Sequence, residues 1–92
     1  MVDVPVRVIK LAPGVRLSCD RDSSEAILLL PEAGNVQLNR HALAILELCD
    51  GSRSRDRVVV DSIVRSPRGM RGADVIEFLE AAESRGWIIE EE

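Results

Sequence analysis

The stretch that most limits how this chain can fold runs from Val36 to Gly51, where a short apolar strand passes without a linker into a helix. Asn39 is suited to the N-cap, because its side-chain oxygen can accept from first-turn amides that have no partner inside the helix. Leu38 before the cap and Leu43 beyond it have the spacing of a hydrophobic staple, which fixes the angle between strand and helix. Ala42, Ile45, Leu46 and Cys49 recur at helical spacing and form a buried stripe that Leu48 widens, while Arg40, Glu47 and Asp50 point away. Gly51 is expected to end the helix as its left-handed C′ residue. A junction of this kind is rigid. It carries the core on one side and leaves the strand before it as a sheet edge.

The segments upstream supply the sheet. Val15, Leu17 and Cys19 alternate with Arg16, Ser18 and Asp20, the two-residue period of a half-buried strand. After the polar turn from Asp20 to Ser24, Ala26 to Leu30 is apolar on both faces, as expected of a central strand covered on each side. Pro31 to Gly34 is a turn, and Asn35 to Leu38 completes a three-stranded meander whose last member is an edge. The first ten residues, with Val4, Val6, Val8 and Ile9 around Pro5, suit either a flexible arm or an edge strand that pairs in a dimer.

Downstream, Ser52 and Ser54 are alternative N-caps for a second helix with Val59, Val60, Ile63 and Val64 as its apolar positions, stopped by Ser66-Pro67. Arg68 to Gly72 connects to a third helix from about Ala73 to Arg85. Val75, Phe78, Leu79 and Ala82 face inward and Asp74, Glu77, Glu80 and Glu83 outward. Asp74 and Glu77 have capping-box spacing, Gly86 is a C′ candidate, and Trp87-Ile88-Ile89 suits a short strand or packing tail. The pattern predicts one α+β domain over residues 1–92: a three-stranded antiparallel sheet followed by a three-helix bundle, in the manner of a winged helix-turn-helix.

Composition then removes function classes. With 92 residues, 46% apolar and 30% charged, the chain can bury one self-sufficient core. A net charge of −4 and four carboxylates on the outer face of the third helix oppose phosphate contacts there, and with no Tyr, one Phe and one Trp there are no base-stacking platforms. Arg53, Arg55 and Arg57, together with Arg65, Arg68 and Arg71, form a basic stretch that suits either a solvated face balancing nearby acids or a docking patch for an acidic partner. His41 is the single histidine, and Cys19 and Cys49 stand 30 apart, so neither a nucleophile with its base nor a metal constellation can be assembled. Both cysteines read as small buried hydrophobes. No segment reads as a bilayer span or a signal peptide, which leads to the expectation of a cytoplasmic protein that is not an enzyme and holds no metal or cofactor.

What remains is binding by shape and backbone. Gly34, Asn35, Val36, Gln37 and Leu38 would offer unpaired backbone groups to an extended peptide, and Val75, Phe78 and Leu79 would line the apolar groove beside them. The same three side chains also suit a plain core role.

Leu11-Ala12-Pro13-Gly14-Val15-Arg16-Leu17, Asp20, Leu28-Leu29-Leu30-Pro31-Glu32, Leu38-Asn39, Ala42, Ile45-Leu46, Leu48, Asp50-Gly51, Ser54, Val75 and Phe78-Leu79 resemble the PqqD family of pyrroloquinoline quinone biosynthesis. The resemblance covers nearly all of the chain after residue 10, most strongly the first two strands and first helix. It implies a non-catalytic peptide chaperone, a recognition element for ribosomally made and modified peptides. Such a protein would hold the leader of a PqqA-like precursor on the edge strand and third helix, and deliver it to a PqqE-like radical S-adenosylmethionine enzyme. The iron–sulfur clusters would belong to that enzyme, and neither nucleic acid nor membrane would be a partner. The second helix departs from the family pattern where it runs into Ser66-Pro67-Arg68-Gly69, so the leader of a related modified-peptide pathway is the alternative, with a winged-helix DNA regulator behind it. A homodimer through the same edge would compete with the peptide.

Overall fold

A computed structural model describes residues 7–20, 25–32, 34–65 and 70–91. In chain order the elements are β1 (Val8–Leu11), β2 (Arg16–Asp20), β3 (Glu25–Leu30), β4 (Gly34–Leu38), α1 (Arg40–Glu47), α2 (Arg55–Arg65), α3 (Gly72–Ser84) and β5 (Ile88–Glu91). The architecture is α+β.

Strands β2, β3 and β4 form an antiparallel meander in that order, with Leu28 opposite both Leu17 and Val36. The apolar run of β3 is explained by its central place: Ala26 and Leu28 are buried, and Ile27, Leu29 and Leu30 are half-buried. Strand β4 pairs with β3 alone, so among the described residues its outer edge carries no strand.

The first and last strands pair with each other. Strand β1 runs antiparallel to β5, with Val8 opposite Glu91 and Leu11 opposite Ile88. Residues 8–10 of the stretch expected to be an arm or a dimer strand are therefore paired within the chain, and residues 1–6 of that stretch lie outside the described residues. The α1–α2 connector closes against this ribbon: Ile9 N donates to Arg53 O at 2.9 Å and Gly51 N donates to Ile9 O at 2.9 Å.

Asn39 caps α1 as its sequence position requires, its Oδ1 accepting from Ala42 N at 2.7 Å. Ala42, Ile45 and Leu46 are buried on the helix, and Leu48 and Cys49 are buried just after it. The helix ends before Gly51. Leu48 is the C-cap, and Gly51, at φ +87°, turns the chain onto β1 where Lys10 bridges to Asp50. Helix α2 is capped by Ser54 rather than Ser52, the Ser54 Oγ accepting from Arg57 N at 3.3 Å. Its buried line is Val58 and Ser62, with Val59 and Ile63 half-buried, whereas Val60 and Val64 are 50% and 72% exposed. The stripe is thus rotated from the expected one, because a small serine fills a core position that an apolar count passes over.

Helix α3 starts with Arg71 as N-cap and has no side-chain cap, so the Asp74–Glu77 capping box does not form. Its C-terminus closes as a Schellman motif: Trp87 N donates to Ala82 O at 2.9 Å, Gly86 N to Glu83 O at 3.1 Å, and Gly86 takes φ +80°. The core brings together Leu28, Ile45, Leu46, Val58, Val75, Leu79, Trp87 and Ile88.

The two cysteines differ. Cys49 is buried and donates to Ile45 O at 3.3 Å, and burial pushes its thiol up to about 12. Cys19 is exposed, contrary to the expectation of a buried side chain: it lies toward the end of an outer strand, and alternation marks a face without saying how far the cover over it extends. One thiol should therefore react at once with a disulfide reagent in the native protein, and the second only on unfolding. Because Cys49 holds its proton more tightly when folded, its contribution is complete below the unfolded value near 9 and is lost as pH rises toward 12. A Cys49→Ala variant should lose that alkaline slope in denaturant titrations. Leu28→Ala, at a fully buried site on the central strand, should cost about 3 kcal/mol in urea unfolding.

Candidate functional site

The strand-to-helix junction places the end of β4 across from α3. Between them lies a recess of about 300 Å³, walled by Val36, Gln37 and Leu38 on one side and by Phe78, Ala81, Ala82 and Arg85 on the other. The small side chains of Ala81 and Ala82 leave this space open, and the Schellman turn brings Trp87 into its lining. The Trp87 ring is almost wholly buried, and the Arg85 guanidinium sits over it at 5.3 Å from the ring centroid. A second recess of about 270 Å³ lies between the start of α1 and the first half of α3, lined by His41, Ile45, Met70, Asp74 and Val75. Asn39, Ala42 and Phe78 line both, so the half-buried Phe78 ring stands between two chambers of one groove.

Of the residues expected to meet a peptide, Val36, Gln37, Leu38, Val75 and Phe78 line this groove. Gly34 and Asn35 lie exposed on β4 beyond the recesses. Leu79 lines neither chamber and is fully buried, so its place is in the core. Sequence reasoning did not find Ala42, Ala81, Ala82, Arg85 and Trp87. The signal available was the Gly86 C′ position, which turns its two neighbours back toward the preceding helix.

The basic stretch is largely taken up within the fold. Arg53 Nε donates to Asp61 at 2.9 Å and its terminal nitrogen to Asp50 at 3.2 Å. Arg55 reaches Glu83 at 3.1 Å and Glu90 at 2.9 Å, and Arg57 lies 3.4 Å from Asp61. Arg53, Arg55 and Arg57, the residues expected to form a docking patch, thus each have an acidic partner within the fold. The Asp50 carboxyl is held below its ordinary range, chiefly by the hydroxyl and amide of Ser52 and then by Arg53. No cluster of three or more metal-ligating side chains occurs among the described residues, and no helix there is long and apolar enough to cross a membrane.

An open strand edge beside an apolar groove is an arrangement that can accept an extended chain through its backbone. This defines the class: a small α+β domain with a sheet edge beside an apolar groove. The chain belongs to the PqqD family, since the family model for coenzyme PQQ synthesis protein D matches residues 25–88. It is 38% identical over 88 residues to the PqqA binding protein of Methylococcus capsulatus, covering 94% of this chain and 91% of that protein. To the PqqA binding protein of Azotobacter vinelandii it is 40% identical over 88 residues, covering 94% and 89%. Among solved structures it resembles the solution NMR structure of the PqqD truncation of Methylobacterium extorquens PqqCD, which represents a functional and stand-alone recognition element for ribosomally synthesized and post-translationally modified peptides. That likeness has a TM-score of 0.57 at 27% identity over 92% of this chain and 89% of the other. The heterocyclase TruD contains a similar fold, with a TM-score of 0.65 at 16% identity over 92% of this chain and 12% of that one.

Replacing Arg55 with alanine removes a bridge between α2, α3 and β5. The pairs are partly exposed, so the expected loss in denaturant titrations is modest, about 0.5 to 1 kcal/mol, and it should shrink at high salt.

Proposed function

We propose that this protein is a non-catalytic peptide chaperone that takes the leader of a PqqA-like precursor as an added strand on β4. Apolar leader side chains would enter the chambers on either side of Phe78. The observation that carries this reading is the outer edge of β4, which pairs with no strand among the described residues and lies directly beside the groove. The names of the relatives support the same ligand class. If the bundle is read as a winged-helix variant, α3 would be the helix offered to DNA. Asp74, Glu77, Glu80 and Glu83 are all exposed there, which disfavours a phosphate surface.

Roughly four backbone hydrogen bonds at ~1 kcal/mol each and about two apolar anchors at ~2 kcal/mol each must outweigh an ordering cost of about 2 to 5 kcal/mol. The leader alone should then bind with an affinity of tens of micromolar at best, on the order of 6 kcal/mol. A second contact, to a PqqE-like radical S-adenosylmethionine enzyme, would supply the rest through effective concentration. A second copy of the chain pairing on β4 would compete with the leader.

Titration of isotopically labelled protein with a precursor leader should shift the amides of Gly34 to Leu38 and of α3. Shifts confined to 53–65 would instead favour docking through charge. Phe78→Ala should weaken leader binding about tenfold, the loss of one buried anchor's worth of apolar area, with an unfolding midpoint close to that of the parent because the ring is only half-buried.

A further inference from the structure

We propose that Arg85 makes the groove selective for a peptide carrying an aspartate or glutamate two residues from the apolar residue that enters the β4 chamber. This rests on β4 being the peptide-binding edge. Among the described residues, Arg85 is the one charged side chain lining that chamber, where the rest of the wall is apolar or amide. It is also unspent. Lys10, Arg53, Arg55, Arg57 and Arg65 all have carboxylate partners, whereas Arg85, like Arg16, Arg40 and Arg71, which line neither chamber, has none among the described residues, in a chain with 16 acidic side chains against 12 basic ones. Glu83, the acid closest to it in sequence, is engaged by Arg55 at 3.1 Å.

The guanidinium is also held in place. Lying over the Trp87 ring at 5.3 Å, it gives up little side-chain freedom on meeting a partner, and stacking leaves the donors at the rim of its plane available for a bidentate carboxylate. An extended peptide on β4 places alternate side chains toward the same face, so an apolar anchor and a carboxylate two residues away would enter one chamber together. The other chamber has the opposite character at its far wall, where Asp74 is the acidic residue. Asp74 and Arg85 stand eleven residues apart on α3 and its cap, about 16 Å along the helix axis, the length of about five residues of extended chain. The groove would therefore distinguish the two ends of a peptide by charge. Arg85 also faces the negative end of α3, which favours a cation there. That role alone would make no distinction between one peptide and another.

The test is selection of random nine-residue segments displayed on phage against the immobilised full chain, followed by titration with single synthetic peptides. Selected segments should carry Asp or Glu at a fixed offset from an apolar residue. Arg85→Gln should abolish that bias, and Arg85→Glu should replace it with Lys or Arg. A selected peptide should bind Arg85→Gln about tenfold more weakly. Its acid-to-amide analogue should lose the same factor on the parent protein and nothing further on Arg85→Gln. Should Arg85→Glu not fold, as judged by circular dichroism and Trp87 fluorescence, the Arg85→Gln and amide-peptide cycle decides alone. Segments enriched without a charge bias, or with a bias that survives Arg85→Gln, would overturn the role of Arg85 and leave strand addition standing. Enrichment of no segment at all would overturn both.

Discussion

A single residue, Asn39, separates β4 from α1, and the hydrogen bond its side chain accepts from Ala42 decides how sheet and helices meet. Leu38 is buried on one side of this residue and Ala42 on the other, so the chain must turn sharply at a point where both neighbours are fixed in the core. A longer connection would let α1 drift or let a loop fall across the strand edge. With one residue there is no slack, and Asn39 lines both chambers of the groove. The cap that ends one element and begins the next is therefore also part of the proposed binding surface, linking local backbone chemistry directly to function.

Around this junction, ion pairs tie the periphery of the domain together. Arg53, just before α2, and Arg55, its first residue, reach four acids that come from the α1–α2 connector, α2 itself, α3 and β5. Pairs of this exposure add little each, but together they register the second helix against the terminal strand. The fold thus absorbs most of the basic stretch, which leaves Arg85 standing apart in a different setting, stacked on an aromatic ring at the end of an apolar wall.

The sheet was legible in the sequence because its signals are local. Alternation marked β2, a two-faced apolar run marked β3, and a turn and a cap bounded β4. The pairing of β1 with β5 was not, since nothing in Val8 to Leu11 names a partner about eighty residues away. Helix α2 was placed correctly but rotated, because Ser62 occupies a core position with a polar side chain. At the groove, Phe78 and Leu79 both fall within the apolar arc of the helix, yet one is half-exposed and the other fully buried. The difference depends on how closely α1 and β4 approach each part of α3, which periodicity does not encode. Arg85 and Trp87 entered the site only through the turn at Gly86, a three-dimensional consequence of a one-residue signal.

The β1–β5 ribbon puts Val8 and Glu91 opposite each other, so the two described ends of the domain share one corner. Peeling the first strand away would unzip the last one as well, and with it Glu90, the anchor that Arg55 grips from α2. Damage inflicted at the front of the polypeptide would be felt at its back and then in the helices. A pull applied at Val8 or at Glu91 would act on that same corner, making these two residues mechanically equivalent handles on the domain.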